Sequence, residues 1–203
     1  LWENLVGRSP EFWEWCFPVA REAFANALDD TTAADVQQSL LVVEPSFIRV
    51  EADEVTYNLH VMLRFDLERA VMHGDLPVAD LPAAWNERFE NDFGRRPPND
   101  AEGVLQDIHW SAGLIGYFPT YTLGNIFAAQ LMKAATQAIP GLDRQMAAGE
   151  FGELLGWLRR SVHATGRMLE SGPLVEQVTG EPVSERWLVE SLSRRYGPAY
   201  GLR

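Results

Sequence analysis

Apolar residues recur at helical spacing along most of the chain. Residues 2–16 place Trp2, Leu5, Val6, Phe12, Trp13 and Cys16 on roughly one face, with Pro10 interrupting the run. A second helix is predicted from about Pro18 to Leu28, ending at the turn Asp29–Thr32, and a short one over Ala33–Leu41. Ser46–Val50, which follows Pro45, reads as a short strand. Asp53 is placed to cap a long helix over Glu54–His73, whose stripe is Val55, Leu59, Met62, Leu63, Leu67 and Ala70. In the next helix, from Asp80 to Gly94, Leu81, Trp85, Phe89 and Phe93 recur every four positions, a core pattern. Arg95–Asp100 (RRPPND) breaks the chain, and helices resume over Asn125–Ile139, Leu142–Ala148, Glu150–Leu169 and Ser184–Tyr196. No repeat, low-complexity tract or Ser/Gly linker divides these segments, so the pattern predicts one mainly helical unit over residues 1–203.

One stretch departs from this pattern. Residues 103–130 set Gln106, Asp107, His109, Tyr117 and Tyr121 among glycines and Pro119. A core helix has no need of that mixture. A ligand-contacting wall does, because glycine lets backbone approach a ligand while His and Tyr offer hydrogen bonds. A buried bend with satisfied polar groups has the same composition.

Composition narrows the setting. At 203 residues, 46% hydrophobic and 23% charged, the chain can bury a full core without staples. Its net charge of −12 argues against nucleic acid or an anionic membrane as the main partner. No apolar run approaches the ~20 residues of a membrane span, and no signal peptide is visible. The single cysteine, Cys16, lies in the aromatic run FWEWCF and points to packing and to a reducing, cytoplasmic location. Leu1 is not a start methionine, and the first residues are already in helical pattern without a cap; the chain reads as cut from something longer. Trp2, Trp13, Trp85 and Trp157 read as core.

The four histidines, His60, His73, His109 and His163, include no pair at the i, i+4 spacing that sets two imidazoles on one helix face for zinc. HExxH, CxxC, Walker, GxGxxG and GxSxG motifs are all absent. Taken alone, the chain shows no complete catalytic constellation.

Three segments are nonetheless specific. SFIRVEADEVTYNLHVMLRFDLE (Ser46–Glu68), GVLQDIHW (Gly103–Trp110) and GYFPTYTLGN (Gly116–Asn125) together resemble the carboxypeptidase Taq family of zinc metallocarboxypeptidases, whose IRxxAD and GxxQDxHW signatures are matched at every fixed position. LWENLVGRSPEFW is similar to the family segment that follows its HES(G)Q motif, and GEPVSERWLVESLSRRYGPAYGL to its C-terminus, so the resemblance spans essentially all residues in order.

The resemblance implies a mainly helical, zincin-like body and the C-terminal two-fifths of a longer enzyme that removes C-terminal amino acids from peptides. Zinc would be the cofactor of that parent. Its HExxH ligands, its third ligand (the Glu of HES(G)Q) and its general base would all lie before Leu1, so no metal ligand carries over, and the isolated chain is expected to bind no zinc and to be inactive. The implied partners are the missing N-terminal part, a peptide with a free C-terminal carboxylate, and a second copy in a homodimer.

The residues that carry over make chemical sense. Arg49 is the candidate grip on the substrate carboxylate, since a planar guanidinium holds a carboxylate through two parallel hydrogen bonds. A salt bridge from Arg49 to Glu51 or Asp53 is the structural alternative. His109 and Tyr117 are the candidate oxyanion donors, with Tyr121 as a further one. Gln106 and Asp107 would orient His109 or bind the peptide backbone. A non-catalytic helical interaction or scaffold module derived from the same family is the rival function.

Overall fold

The computed structural model describes residues 1–202 and, among them, is helical with no β-strand. The α-helices are α1 (Pro10–Ala23), α2 (Ala33–Ser39), α3 (Tyr57–His73), α4 (Leu81–Phe93), α5 (Pro119–Ala138), α6 (Leu142–Ala147), α7 (Gly152–Ser161), α8 (Ser171–Thr179) and α9 (Arg186–Tyr200). No helix among the described residues is long and apolar enough to cross a membrane. The chain forms two compact units, residues 1–42 with 125–203, and residues 43–124; the division falls inside α5.

The first unit is built on aliphatic packing. Its core gathers Leu5, Val6, Met132, Ala135, Ile139, Leu142, Met146, Leu154, Leu158 and Leu188. The run is interrupted before Pro10, with a π-helical turn over Trp2–Val6 ending short of it and Pro10 starting a new helix. It occupies the first turn of α1, where its missing N–H is no loss, and Ser9 Oγ accepts the Phe12 N–H at 3.1 Å as the cap. Helix α1 then continues through Pro18, so the expected break there is absent. Thr32 and Asp35 form a reciprocal capping box at α2. Gln130 is 2% exposed, and its amide bonds Thr179 Oγ1 and the Glu181 and Pro182 carbonyls while accepting the Ser184 N–H, which secures the chain between α8 and α9. Helix α8 has no counterpart among the expected helices. Trp2, expected in the core, is 40% exposed.

The second unit packs α3 against α4 around Leu63, Leu67, Trp85, Phe89 and Val104. Phe89 and Phe93 stack at 4.3 Å, so the four-residue aromatic repeat of α4 is core. The expected strand over 46–50 is overturned: Ser46 to Ile48 is irregular and Arg49–Glu51 is a 3₁₀ turn. A strand needs a ladder partner for its backbone groups, and here a side chain takes that part, as Gln106 Oε1 accepts the Arg49 N–H at 2.8 Å. Asp53 collects the Val55 and Thr56 N–H groups, each at 2.9 Å, and nucleates the turn from which α3 starts at Tyr57.

Candidate active site

Helix α3 is the frame of the candidate site. Its buried face carries His60, Val61, Leu63, Arg64, Leu67 and Glu68, a face rotated from the expected stripe, with Met62 47% exposed. A hydrophobic pattern misses that face because a paired charge can be buried as well as an apolar group. Arg64 is fully buried. Its Nε donates to Asp107 Oδ2 at 2.5 Å, one terminal nitrogen donates to the His60 carbonyl at 2.8 Å, and its guanidinium lies 4.6 Å from the Trp85 ring centre.

Asp107 is shared by two arginines. From the 3₁₀ turn, Arg49 donates through Nε at 3.1 Å and through a terminal nitrogen at 2.6 Å to Oδ1. Its other terminal nitrogen donates to Tyr57 Oη at 2.9 Å. The pair Arg49 makes is thus with Asp107, 58 residues on, and with neither Glu51 nor Asp53. The rings of Tyr57, Phe118 and Tyr121 surround the guanidinium at 5.7, 5.7 and 4.9 Å.

Two positive charges against one carboxylate leave the cluster net positive. Burial works against ionising Asp107, but the hydrogen bonds and charges of Arg49 and Arg64 prevail and hold its carboxyl below the usual carboxylate range. Burial, opposed by Asp107, brings Arg64 down to about 10. Burial pushes the Tyr57 phenol up despite Arg49.

Gln106 is the lock of the loop. Its amide nitrogen donates to the carbonyls of Phe47, Glu102 and Gly103 at 2.9–3.1 Å while its oxygen holds the Arg49 N–H. Both halves of its side chain are therefore engaged by backbone, and it seats Arg49 over Asp107.

His109 is 8% exposed and packs against Phe118, with ring centres 4.4 Å apart and planes tilted by 41°. Its Nε2 hydrogen-bonds Tyr121 Oη at 2.9 Å, and its Nδ1 lies 3.7 Å from Asp107 Oδ1. Burial first, then the guanidiniums of Arg49 and Arg64, hold the imidazole below its ordinary range against the pull of Asp107 and Glu68. Tyr117, 43% exposed, sets its ring 5.6 Å from His109 and 5.5 Å from Tyr121. All six sequence candidates (Arg49, Gln106, Asp107, His109, Tyr117 and Tyr121) therefore lie in one unit and in two contacting groups. Sequence reasoning missed Arg64, Tyr57 and Phe118. A signal for Arg64 existed: it follows His60 by one helical turn, inside a segment already singled out.

Among the described residues no group of three His, Cys, Asp or Glu side chains is placed to hold a metal ion. The donors nearest to such a set are committed elsewhere, Asp107 to two arginines and His109 to Tyr121. These residues do not fit a catalytic metal.

The candidate site is thus two buried arginines sharing one carboxylate beside a His–Tyr pair, in a helical body. Residues 1–196 match the profile of the carboxypeptidase Taq (M32) metallopeptidases, and the chain belongs to that family. It is 49% identical over 200 residues to thermostable carboxypeptidase 1 of Thermus thermophilus, covering 98% of this chain and 39% of that protein. The fold superposes with a TM-score of 0.96 on the M32 carboxypeptidase of Deinococcus radiodurans, at 43% identity, covering 99% of this chain and 41% of that one. Metallocarboxypeptidase 1 of Trypanosoma cruzi aligns with a TM-score of 0.91 at 36% identity, over 96% of this chain and 39% of that one. The chain thus spans about two-fifths of the relatives it matches.

Proposed function

We propose that residues 1–203 are the single, mainly helical C-terminal portion of a cytoplasmic, zinc-dependent metallocarboxypeptidase that removes C-terminal amino acids from peptides. In that reading the metal ligands and the general base belong to the remainder of the enzyme, and this portion supplies the grip on the substrate's terminal carboxylate and part of the oxyanion side of the cleft. A homodimer is the assembly expected of it.

The observation that carries the reading is the hydrogen-bond arithmetic of Arg49. A guanidinium has five N–H bonds. Asp107 engages one on Nε and one on a terminal nitrogen, and Tyr57 engages one on the other. One N–H on each terminal nitrogen remains, and these are the bonds left to donate to a substrate carboxylate. Asp107 and the three rings hold the guanidinium still, so little side-chain entropy is lost on binding. Tyr117, together with His109 once its Nε2 exchanges the bond to Tyr121 for the substrate oxygen, would donate where a peptide carbonyl gains negative charge during attack.

The test is kinetic. In the full-length protein, Arg49→Ala is expected to lower kcat/KM for free-carboxylate peptides by about a hundredfold or more while metal content is unchanged. Equal loss of activity and metal would make Arg49 structural. The 203-residue chain alone is expected to bind no stoichiometric zinc and to release no amino acids. Zinc-dependent release by that chain would overturn the division of labour proposed here.

A further inference from the structure

Glu68 is a buried carboxylate, 7% exposed, one helical turn after Arg64 on α3. Its Oε2 accepts the Trp110 indole N–H at 2.8 Å, and its Oε1 accepts the Gly116 backbone N–H. The two donors are the residue after His109 and the residue before Tyr117. Between them the chain folds back, with the Leu114 N–H on the His109 carbonyl at 2.8 Å and the Gly113 N–H on the Trp110 carbonyl at 3.0 Å. Gly116 sits at φ +80°, a left-handed turn that returns the chain towards α5.

We propose that Glu68 is the positioning residue for the His109–Tyr117 wall, closing the loop between the two by gripping both of its ends. This rests on the reading of His109 and Tyr117 as oxyanion donors. The chemistry requires a carboxylate. Two N–H donors arrive at two oxygens, and a carboxylate accepts at both, whereas an amide accepts at one and turns its own N–H against the other. The hydrogen bonds that hold Arg49 come from Gln106, Asp107 and Tyr57, and Glu68 makes none of them. Glu68 therefore acts on turnover, and substrate-carboxylate binding is left to the other cluster.

Steady-state kinetics of the full-length enzyme on a free-carboxylate peptide test this with Glu68→Gln, Trp110→Phe, His109→Ala and Tyr117→Phe. Glu68→Gln is expected to lower kcat by about tenfold or more, with KM within about twofold, because a small displacement of donors costs turnover steeply. Trp110→Phe, which deletes one of the two bonds, is expected to lower kcat less and in the same sense. Full kcat in Glu68→Gln, or a rise in KM alone, overturns the positioning role while losses in His109→Ala and Tyr117→Phe leave the donors in place. Full turnover in both of those overturns the wall and the role of Glu68 with it. If Glu68→Gln fails to fold, an unchanged kcat in Trp110→Phe overturns the proposal by itself.

Discussion

The two units of this chain are built on opposite principles. The core of residues 1–42 with 125–203 is aliphatic, and its buried polar groups are neutral: Ser9, Gln130 and Ser191. In residues 43–124 the buried set includes Arg49, Glu54, His60, Arg64, Glu68 and His109. Burying charge adds little net stability, since desolvation offsets most of the Coulombic gain. What such pairs give is fixed geometry. One unit is organised to fill volume and the other to hold groups in place, and the candidate site lies wholly in the second.

That contrast breaks if substitutions that preserve volume are equally mild in both units. Asp107→Asn keeps size but weakens the shared partner of two buried guanidiniums, and is expected to cost about 3–5 kcal/mol. Leu154→Met, in the aliphatic core, is expected to cost less than about 1.5 kcal/mol. Denaturant unfolding of the full-length protein compares them, and equal costs would end the distinction.

A second effect is set by His60, which is fully buried against Phe89 and Phe93. Burial, then the charge of Arg64, lowers its pKa from 6.5 to about 4. The unfolded chain therefore takes up a proton that the folded one refuses. Stability is expected to be full above about pH 6.5 and to fall as the pH drops towards 4, by on the order of 3 kcal/mol over that window. A His60→Leu variant is expected to lose most of the slope. An unchanged slope would assign it to other groups.

The smallest effect has opposite signs in the two units. Gly116→Ala places a side chain at φ +80° and is expected to cost about 1 kcal/mol, although its Cβ meets nothing within 4 Å. Gly152→Ala in α7, also in open space but without a positive φ, is expected to stabilise by roughly 0.5–1 kcal/mol. Thermal unfolding separates the two, and a stabilising Gly116→Ala would remove the argument that this turn needs glycine.

Much of the framework was legible along the chain. The α4 repeat, the turn at Gly94 and the existence of α5, α6 and α9 follow from apolar spacing and punctuation, which act locally, although α9 runs on through Gly197 and Pro198 where a stop was expected. The strand over 46–50 and the break at Pro18 failed for the same reason. Each rested on local propensity, and tertiary hydrogen bonds from Gln106 or packing of α1 against α2 and α6 outweighed it. The α3 stripe was misplaced because Arg64 and Glu68 scored as surface residues. Their partners, Asp107, Trp110 and Gly116, come about 40 residues later or more, beyond any periodic signal.

By itself the sequence determined a mainly helical chain and, through its motifs, the family and the six candidate residues. Those depend on residue identity and short spacing, which are printed in the chain. Only the tertiary structure decided which charge meets which: that Arg49 pairs with Asp107, that Arg64 shares the same carboxylate, and that Glu68 joins the two ends of the His109–Tyr117 loop. A pairing between distant residues is set by where the backbone brings them, and a buried charge is tolerable only once that partner has arrived.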